Sequence, residues 1–255
     1  VVIVAAAKVG GIHANSNQAT DFILENLKIQ NNLIETAWRY GIKRLLFLGS
    51  NCIYPKFADQ PIKEEALMTG KLEATNQWYA IAKIAGIKLC EALRRQHGFD
   101  AITLMPATLY GPGDNYHLNS SHVLPALIRR FYEAKQNLQP SVTCWGTGIA
   151  KREFLHSDDL GDACVFLLEN WDPSSALDDE ENTLSYLNVG TGKDLSIKEL
   201  AQKIAFELDY KGEILWDRSK PDGTLKKQLN TERIIKLGWS PKISFENGLK
   251  NTIKI

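Results

Sequence analysis

At 255 residues the chain is long enough to bury a full core, as one large domain or two modest ones. Thirty Lys and Arg against 30 Asp and Glu give a formal net charge of +0, which removes the electrostatic case for nucleic acid or an anionic membrane as a general partner. The cysteines Cys52, Cys90, Cys144 and Cys164 form no C-x-x-C pair and no metal spacing with His, so reduced thiols in a cytoplasmic, metal-free protein are the simplest reading, and no apolar run approaches a membrane span.

The chain opens on the apolar run Val1–Ala7. It has no basic residue ahead of it and reads as a central strand rather than the core of a signal peptide. It starts inside a domain without an initiator Met, so preceding residues are expected to be missing. Gly10-Gly11 marks a turn. Thr20–Tyr40 reads as a long helix closed by Gly41, its apolar positions covering more than one stripe although Asn26, Asn31 and Asn32 interrupt them. Arg44–Leu48 has the unbroken apolar character of a buried parallel strand. A long loop from Gly49 to Thr75 follows, and loops of that length are uncommon unless functional or disordered. Trp78–His97 reads as a helix with Gly98 as its stop, and Ala101–Met105 as a strand.

Pro106–Gly113 is a second loop at a strand end, and Val123–Lys135 a helix introduced by Ser120-Ser121-His122. Val142–Trp145 looks like a strand running into Gly146-Thr147-Gly148. Arg152–Leu155 leads to a helix opened by acidic Asp158-Asp159 and running to Leu168. The acidic stretch Asp178–Glu181 belongs to a surface excursion. Tyr186–Val189 is a strand, Ser196-Ile197-Lys198-Glu199 has the form of a capping box before a helix to Leu208, and Glu213–Trp216 is a short strand. A loop, Ser219–Thr224, and a helix from Phe245 complete the chain. The alternation of strands and helices predicts an α/β fold built on a parallel sheet.

Two stretches carry the chemistry. Tyr79 and Lys83 stand four apart on a helix and so share a face. An ammonium beside a phenol favours the phenolate, and a phenol tuned that way can exchange a proton with a carbonyl being reduced. Ser50 lies just past the Arg44–Leu48 strand, at the strand end where sites of α/β sheets open. Cys52 stands two positions further on, facing as Ser50 does if the stretch is extended. Taken singly, each has a plainer reading: an exposed helical pair, or a small buried hydrophobe in the case of Cys52.

Ser50 with Tyr79-Ala80-Ile81-Ala82-Lys83 resembles the extended, nucleotide-sugar-modifying branch of the short-chain dehydrogenase/reductase superfamily. Gly49-Ser50-Asn51-Cys52-Ile53-Tyr54-Pro55, Asn119-Ser120-Ser121-His122-Val123-Leu124-Pro125, Leu109-Tyr110-Gly111-Pro112, Arg152-Glu153-Phe154-Leu155-His156 and Lys220-Pro221-Asp222-Gly223 are similar to motifs of the GDP-L-fucose synthases, and this likeness covers nearly the whole chain. It implies a Rossmann-like parallel sheet lacking its first strand–helix–strand units, over residues 1–114 with segments near 150–190 returning to it. A smaller α/β substrate-binding domain would span mainly 115–255.

The implied activity is NADPH-dependent 3,5-epimerisation and 4-reduction of GDP-4-keto-6-deoxy-D-mannose. Ser50, Cys52, Tyr79, Lys83 and His122 are the implied catalytic set. Leu48, Gly49, Asn51, Pro106, Ala107, Thr108 and Leu109 join Ser50, Tyr79, Lys83 and His122 around NADPH, and Arg130, Trp145, Arg152 and Asp222 hold the GDP-sugar. A homodimer through the 20–40 and 78–97 helices is implied as well. The sequence departs from the pattern in three places: it has no glycine-rich pyrophosphate turn, Asn51 replaces the usual Ser, and Thr108 replaces the common Asn. Rival readings are a nucleotide-sugar 4,6-dehydratase, a 4-epimerase, or a non-catalytic binding module. A dehydratase calls for an acidic pair where Asn51-Cys52 stands, and a 4-epimerase needs neither Cys52 nor His122.

Overall fold

The structure is a computed structural model that describes residues 1–118, 120–175, 183–220 and 222–254. The acidic stretch Asp178–Glu181, Asn119 and Pro221 lie outside the described residues.

In chain order the elements are β1 (Val2–Val4), α1 (Ile12–Asn17), α2 (Ala19–Arg39), β2 (Arg44–Leu48), α3 (Gln77–His97), β3 (Asp100–Pro106), β4 (Thr108–Tyr110), α4 (Val123–Gln136), β5 (Ser141–Trp145), β6 (Lys151–His156), α5 (Ser157–Asn170), β7 (Tyr186–Val189), β8 (Asp194–Ser196), α6 (Ile197–Glu207), β9 (Glu213–Asp217), β10 (Lys226–Lys227), α7 (Glu232–Lys236) and α8 (Phe245–Ile253). The strands β1-β2-β3-β7 form a four-stranded sheet, parallel throughout. Leu45, Leu46 and Phe47 of β2 are wholly buried, because a parallel strand with helices on both faces has no solvent side. The run at the start of the chain forms β1, which among the described residues pairs with β2, and Ile3 is 46% exposed.

Helices α2 and α3 pack on each other against this sheet. The polar interruptions of α2 have uses. The buried Asn26 amide accepts from the Lys8 N–H at 2.9 Å and donates to the Lys8 carbonyl at 3.0 Å, which fixes the strand-to-turn segment; Gln30 Nε2 donates to the Ala82 carbonyl of α3 at 2.6 Å. Helix α3 ends where the sequence says it should, at Gly98 in the left-handed region (φ +65°).

The long loop after β2 contains two single-turn 3₁₀ helices, Asn51–Ile53 and Glu64–Ala66. It is pinned through the buried Asn188 of β7. The Tyr54 hydroxyl donates to Asn188 Oδ1 at 2.6 Å, and the Asn188 N–H donates to Glu64 Oε1 at 3.0 Å. Arg233 of α7 pairs with Glu64 at 3.0 Å. A parallel bridge, Ile62 to Leu229, completes the anchorage.

The remaining strands lie outside the first sheet. β6 is flanked by β10, β4 and β8, and β5 pairs in parallel with β9. Two apolar cores result. One gathers the parallel sheet together with residues from α5, β7, Leu229, Ile234 and Trp239. The other is built from α4, β5, α6, Phe154 and Leu249. Leu229, Ile234 and Trp239 join the first core, as do buried residues between Leu155 and Val189.

Candidate active site

Ser50 leaves the carboxyl end of β2 in an extended conformation and caps the 3₁₀ turn that carries Cys52, accepting from the Cys52 N–H at 3.2 Å. The turn brings Cys52 back towards the start of α3, where Asn76 Nδ2 donates to its sulfur at 3.3 Å. Tyr79 and Lys83 project from the first two turns of the same helix. Ser50 and Cys52 both act on the Tyr79 phenol: a hydrogen bond from Ser50 favours its ionised form, while the charge of Cys52 opposes it.

Burial is the larger influence on both members of the Tyr/Lys pair. It pushes the Tyr79 phenol well above its ordinary range. It pulls Lys83 from 10.5 down to about 8. The expected lowering of the phenol by its ammonium neighbour is not what this geometry produces. Lys83 Nζ is 5.9 Å from the Tyr79 ring centroid, stacks at 4.6 Å over Phe47, and donates to the Leu48 carbonyl at 2.7 Å. The ammonium has three donors, and a buried phenol–ammonium pair beside a strand end suits a nicotinamide ribose and a reacting carbonyl. The donor set therefore fits a nicotinamide cofactor.

Arg152, on β6, comes within electrostatic reach of Cys52. Burial lowers its guanidinium, opposed first by the charge of Cys52 and then by those of Glu73 and Asp222. It donates to the Thr224 carbonyl at 2.6 Å. Asp222 spends both oxygens on the Thr147 turn, accepting from the backbone N–H at 2.8 Å and the hydroxyl at 2.6 Å. It thus shapes the wall between Trp145 and Arg152. Trp145 is 58% exposed and lies between two cations, Arg130 at 6.0 Å and Lys220 at 5.8 Å from its ring centroid.

His122 stands at the N-cap of α4, open to solvent at its edge. Packing around it lowers its imidazole, against the pull of Asp114. It makes no direct hydrogen bond to Cys52 or Tyr79 among the described residues. Its approach is set from the far side by the Gly10-Gly11 turn, where the Gly11 N–H donates to the Ser120 carbonyl at 2.9 Å. A side chain at Gly11 would collide with the Ser121 carbonyl. Phe22 of α2 meets the Tyr79 ring edge-on at 6.4 Å.

The structure thus brings Ser50, Cys52, Tyr79, Lys83 and Arg152 together and pairs Arg130 with Trp145, while among the described residues no hydrogen bond or ion pair joins His122 to either group. Leu48, Gly49, Asn51, Pro106, Ala107, Thr108 and Leu109 follow the ends of β2 and β3 into β4. Asn76, Glu73 and Phe22 were not among the residues singled out in the sequence. Asn76 had a visible signal, an N-cap residue type directly ahead of a helix, but that signal speaks only of helix capping.

The model of the NAD dependent epimerase/dehydratase family matches residues 1–178. GDP-L-fucose synthase 1 of Arabidopsis thaliana is 55% identical over 251 residues, covering 98% of this chain and 75% of that protein. Among solved structures, a GDP-6-OMe-4-keto-L-xylo-heptose reductase from C. jejuni superposes with a TM-score of 0.91 at 36% identity, covering 98% of this chain and 80% of the other. A GDP-L-fucose synthetase from Naegleria fowleri bound to NADP gives 0.85 at 28% identity, over 99% of this chain and 75% of the other. The chain belongs to the NAD dependent epimerase/dehydratase family, and its likeness within that family is to the GDP-L-fucose synthases.

Proposed function

We propose that this chain carries out the 3,5-epimerisation and 4-reduction of GDP-4-keto-6-deoxy-D-mannose to GDP-L-fucose. The observation that carries this reading is the Cys52 sulfur, placed beside the Ser50–Tyr79 pair and within the field of Arg152. A 4-epimerase or a dehydratase has no task for a thiol there. In the substrate, the ketone acidifies hydrogens on both neighbouring carbons. Cys52, as thiolate, takes a proton from one face of the ring and protonated His122 gives one to the other. The thiol then loses its proton to water and the imidazole regains one from water, which resets the pair for the second centre. Ser50 holds the ketone oxygen. Tyr79 gives the proton that this oxygen needs on reduction, and Lys83 orients and charges the surroundings of that phenol.

NADPH, when bound along Leu48, Gly49, Asn51, Pro106, Ala107, Thr108 and Leu109, supplies the hydride. Arg130 and Arg152 suit the diphosphate because a guanidinium pairs two phosphate oxygens at once. Trp145 offers a face to guanine, and Asp222 holds the turn that presents it. Residues 1–114 with the returning segments serve the cofactor, and most of 115–255 the nucleotide sugar. The exposed apolar residues Leu24 and Ile81 on α2 and α3, beside a groove of ≈ 450 Å³, support a homodimer through these helices. A cytoplasmic location agrees with four free thiols.

The test is NMR of the keto sugar incubated in heavy water. Cys52→Ser is expected to stop deuterium entering the ring beside the ketone, yet to retain reduction to a different GDP-6-deoxyhexose. Tyr79→Phe is expected to do the reverse. Normal GDP-L-fucose formation by Cys52→Ser would reduce Cys52 to a packing residue and favour a plain reductase or 4-epimerase.

A further inference from the structure

Asn76 occupies the N-cap of the 21-residue helix α3 but its side chain caps nothing. An N-cap Asn normally accepts from the second or third N–H of its helix, which is why the residue type is favoured there. Here the amide turns outward and gives its N–H to the Cys52 sulfur at 3.3 Å, across 24 residues of chain. Its carbonyl oxygen is buried and has no hydrogen-bond partner. The amide therefore forgoes capping with one half and leaves the other half buried without a partner, which costs stability. That cost is maintained for a single contact, the one to sulfur.

The surroundings of the sulfur give the contact its meaning. An amide N–H is a better partner for a thiolate than for a thiol, since the thiolate has the lone-pair charge to accept it. The N-terminus of a long helix adds positive potential at the same place, and Arg152 adds a full charge. The Cys52 S–H, when present, points instead at Asn51 Oδ1, 3.8 Å away. The sulfur thus has an acceptor for its proton on one side and a donor for its lone pair on the other.

We propose that Asn76 is a positioning residue for Cys52: its side-chain amide fixes the direction of the sulfur and favours the thiolate that removes the ring proton. The inference rests on the reading of Cys52 as the epimerisation base, but the contact can be tested without any sugar.

The experiment is iodoacetamide alkylation of the full chain, followed by mass spectrometry of each cysteine as a function of pH. Cys90, Cys144 and Cys164 are buried, while Cys52 is partly open. Burial also pushes the Cys90 and Cys164 thiols up to about 12 and about 11, so the early label reports Cys52. Replacing the donor by an anion of the same shape, Asn76→Asp, is expected to displace the Cys52 alkylation profile to higher pH by on the order of one unit, from like-charge repulsion at contact distance. Asn76→Ala is expected to displace it in the same direction by less. A change in access alone would alter the plateau rate and leave the midpoint in place. Should Asn76→Asp not fold, as judged by circular dichroism, Asn76→Ala decides alone.

Superimposable profiles for the parent and the folded variants would overturn the proposal and leave Asn76 as packing. A second measurement separates this from the functional reading. With the keto sugar in heavy water, Asn76→Ala is expected to lose at least tenfold in deuterium entry while reduction of the unepimerised ketone changes less than threefold. A displaced alkylation profile with no deuterium entry even in the parent would uphold the Asn76–Cys52 contact and reject the epimerase reading instead.

Discussion

Lys83 holds its ammonium where water scarcely reaches: the residue is 2% exposed, and its nearest partners are a backbone carbonyl and the face of Phe47. Its depression from 10.5 to about 8 corresponds to about 3 kcal/mol against the charged form in the fold. Between these two values the unfolded chain binds the proton and the folded chain has released it, so stability rises with pH across that window. Urea unfolding should therefore show Lys83→Met more stable than the parent near neutral pH, by up to about 3 kcal/mol, and the gap should narrow as pH rises from about 8 towards about 10.5. A pH-independent gap would mean that the carbonyl and the ring fully compensate the burial. The pairing of Tyr79 with Lys83 was legible from their spacing, because four residues bring side chains to one helix face. The direction in which burial moves them was not, since it depends on what covers the helix. Asn76 was hidden for a related reason: its position fits capping, and only the fold of the distant loop reveals the sulfur it serves instead.

At the level of elements, α3 does most of the positioning, and its distance from β2 is set at Gly86. A Cβ there would lie 2.6 Å and 2.7 Å from ring atoms of Phe47 and 3.0 Å from the side chain of Gln30. Phe47 is wholly buried beneath Lys83 and has nowhere to turn. Gly86→Ala should therefore push α3 off the sheet, lower stability by about 1–3 kcal/mol, and reduce hydride transfer because Tyr79 and Lys83 ride on the same helix. Urea midpoints and turnover measure the two effects; an unchanged midpoint would show that the helix has slack that the packing does not suggest. The long helices and buried strands were readable to within a residue or two, since periodicity and apolar runs decide them. The short strands β4, β8 and β10 were not. Pairs and triplets of residues become strands only by pairing with β6, which is a property of the assembled sheet rather than of local propensity.

Among the described residues, the groove between α2 and α3 is a helical face that the core leaves open. Leu27, Trp38, Ala85, Leu89 and Leu93 line the groove between α2 and α3, and Ala85 is small enough for a facing helix to approach closely. Sedimentation should find a dimer, with Ala85→Arg shifting it to monomer by placing a long cation in the seam. A variant that still sediments as a dimer would locate the interface elsewhere. The two apolar cores have a consequence of another kind. One core carries the Ser50–Tyr79–Lys83 end and the other backs the Trp145 end, so a nucleotide sugar bound as proposed would touch both. Binding shifts the melting of whatever folded unit it contacts. In calorimetry, GDP alone should raise the transition of the half built on α4, β5 and α6 and leave the other in place. The full keto sugar should raise both and fuse them into one heat-absorption peak, the substrate acting as the cross-link that makes the protein melt as a single cooperative body.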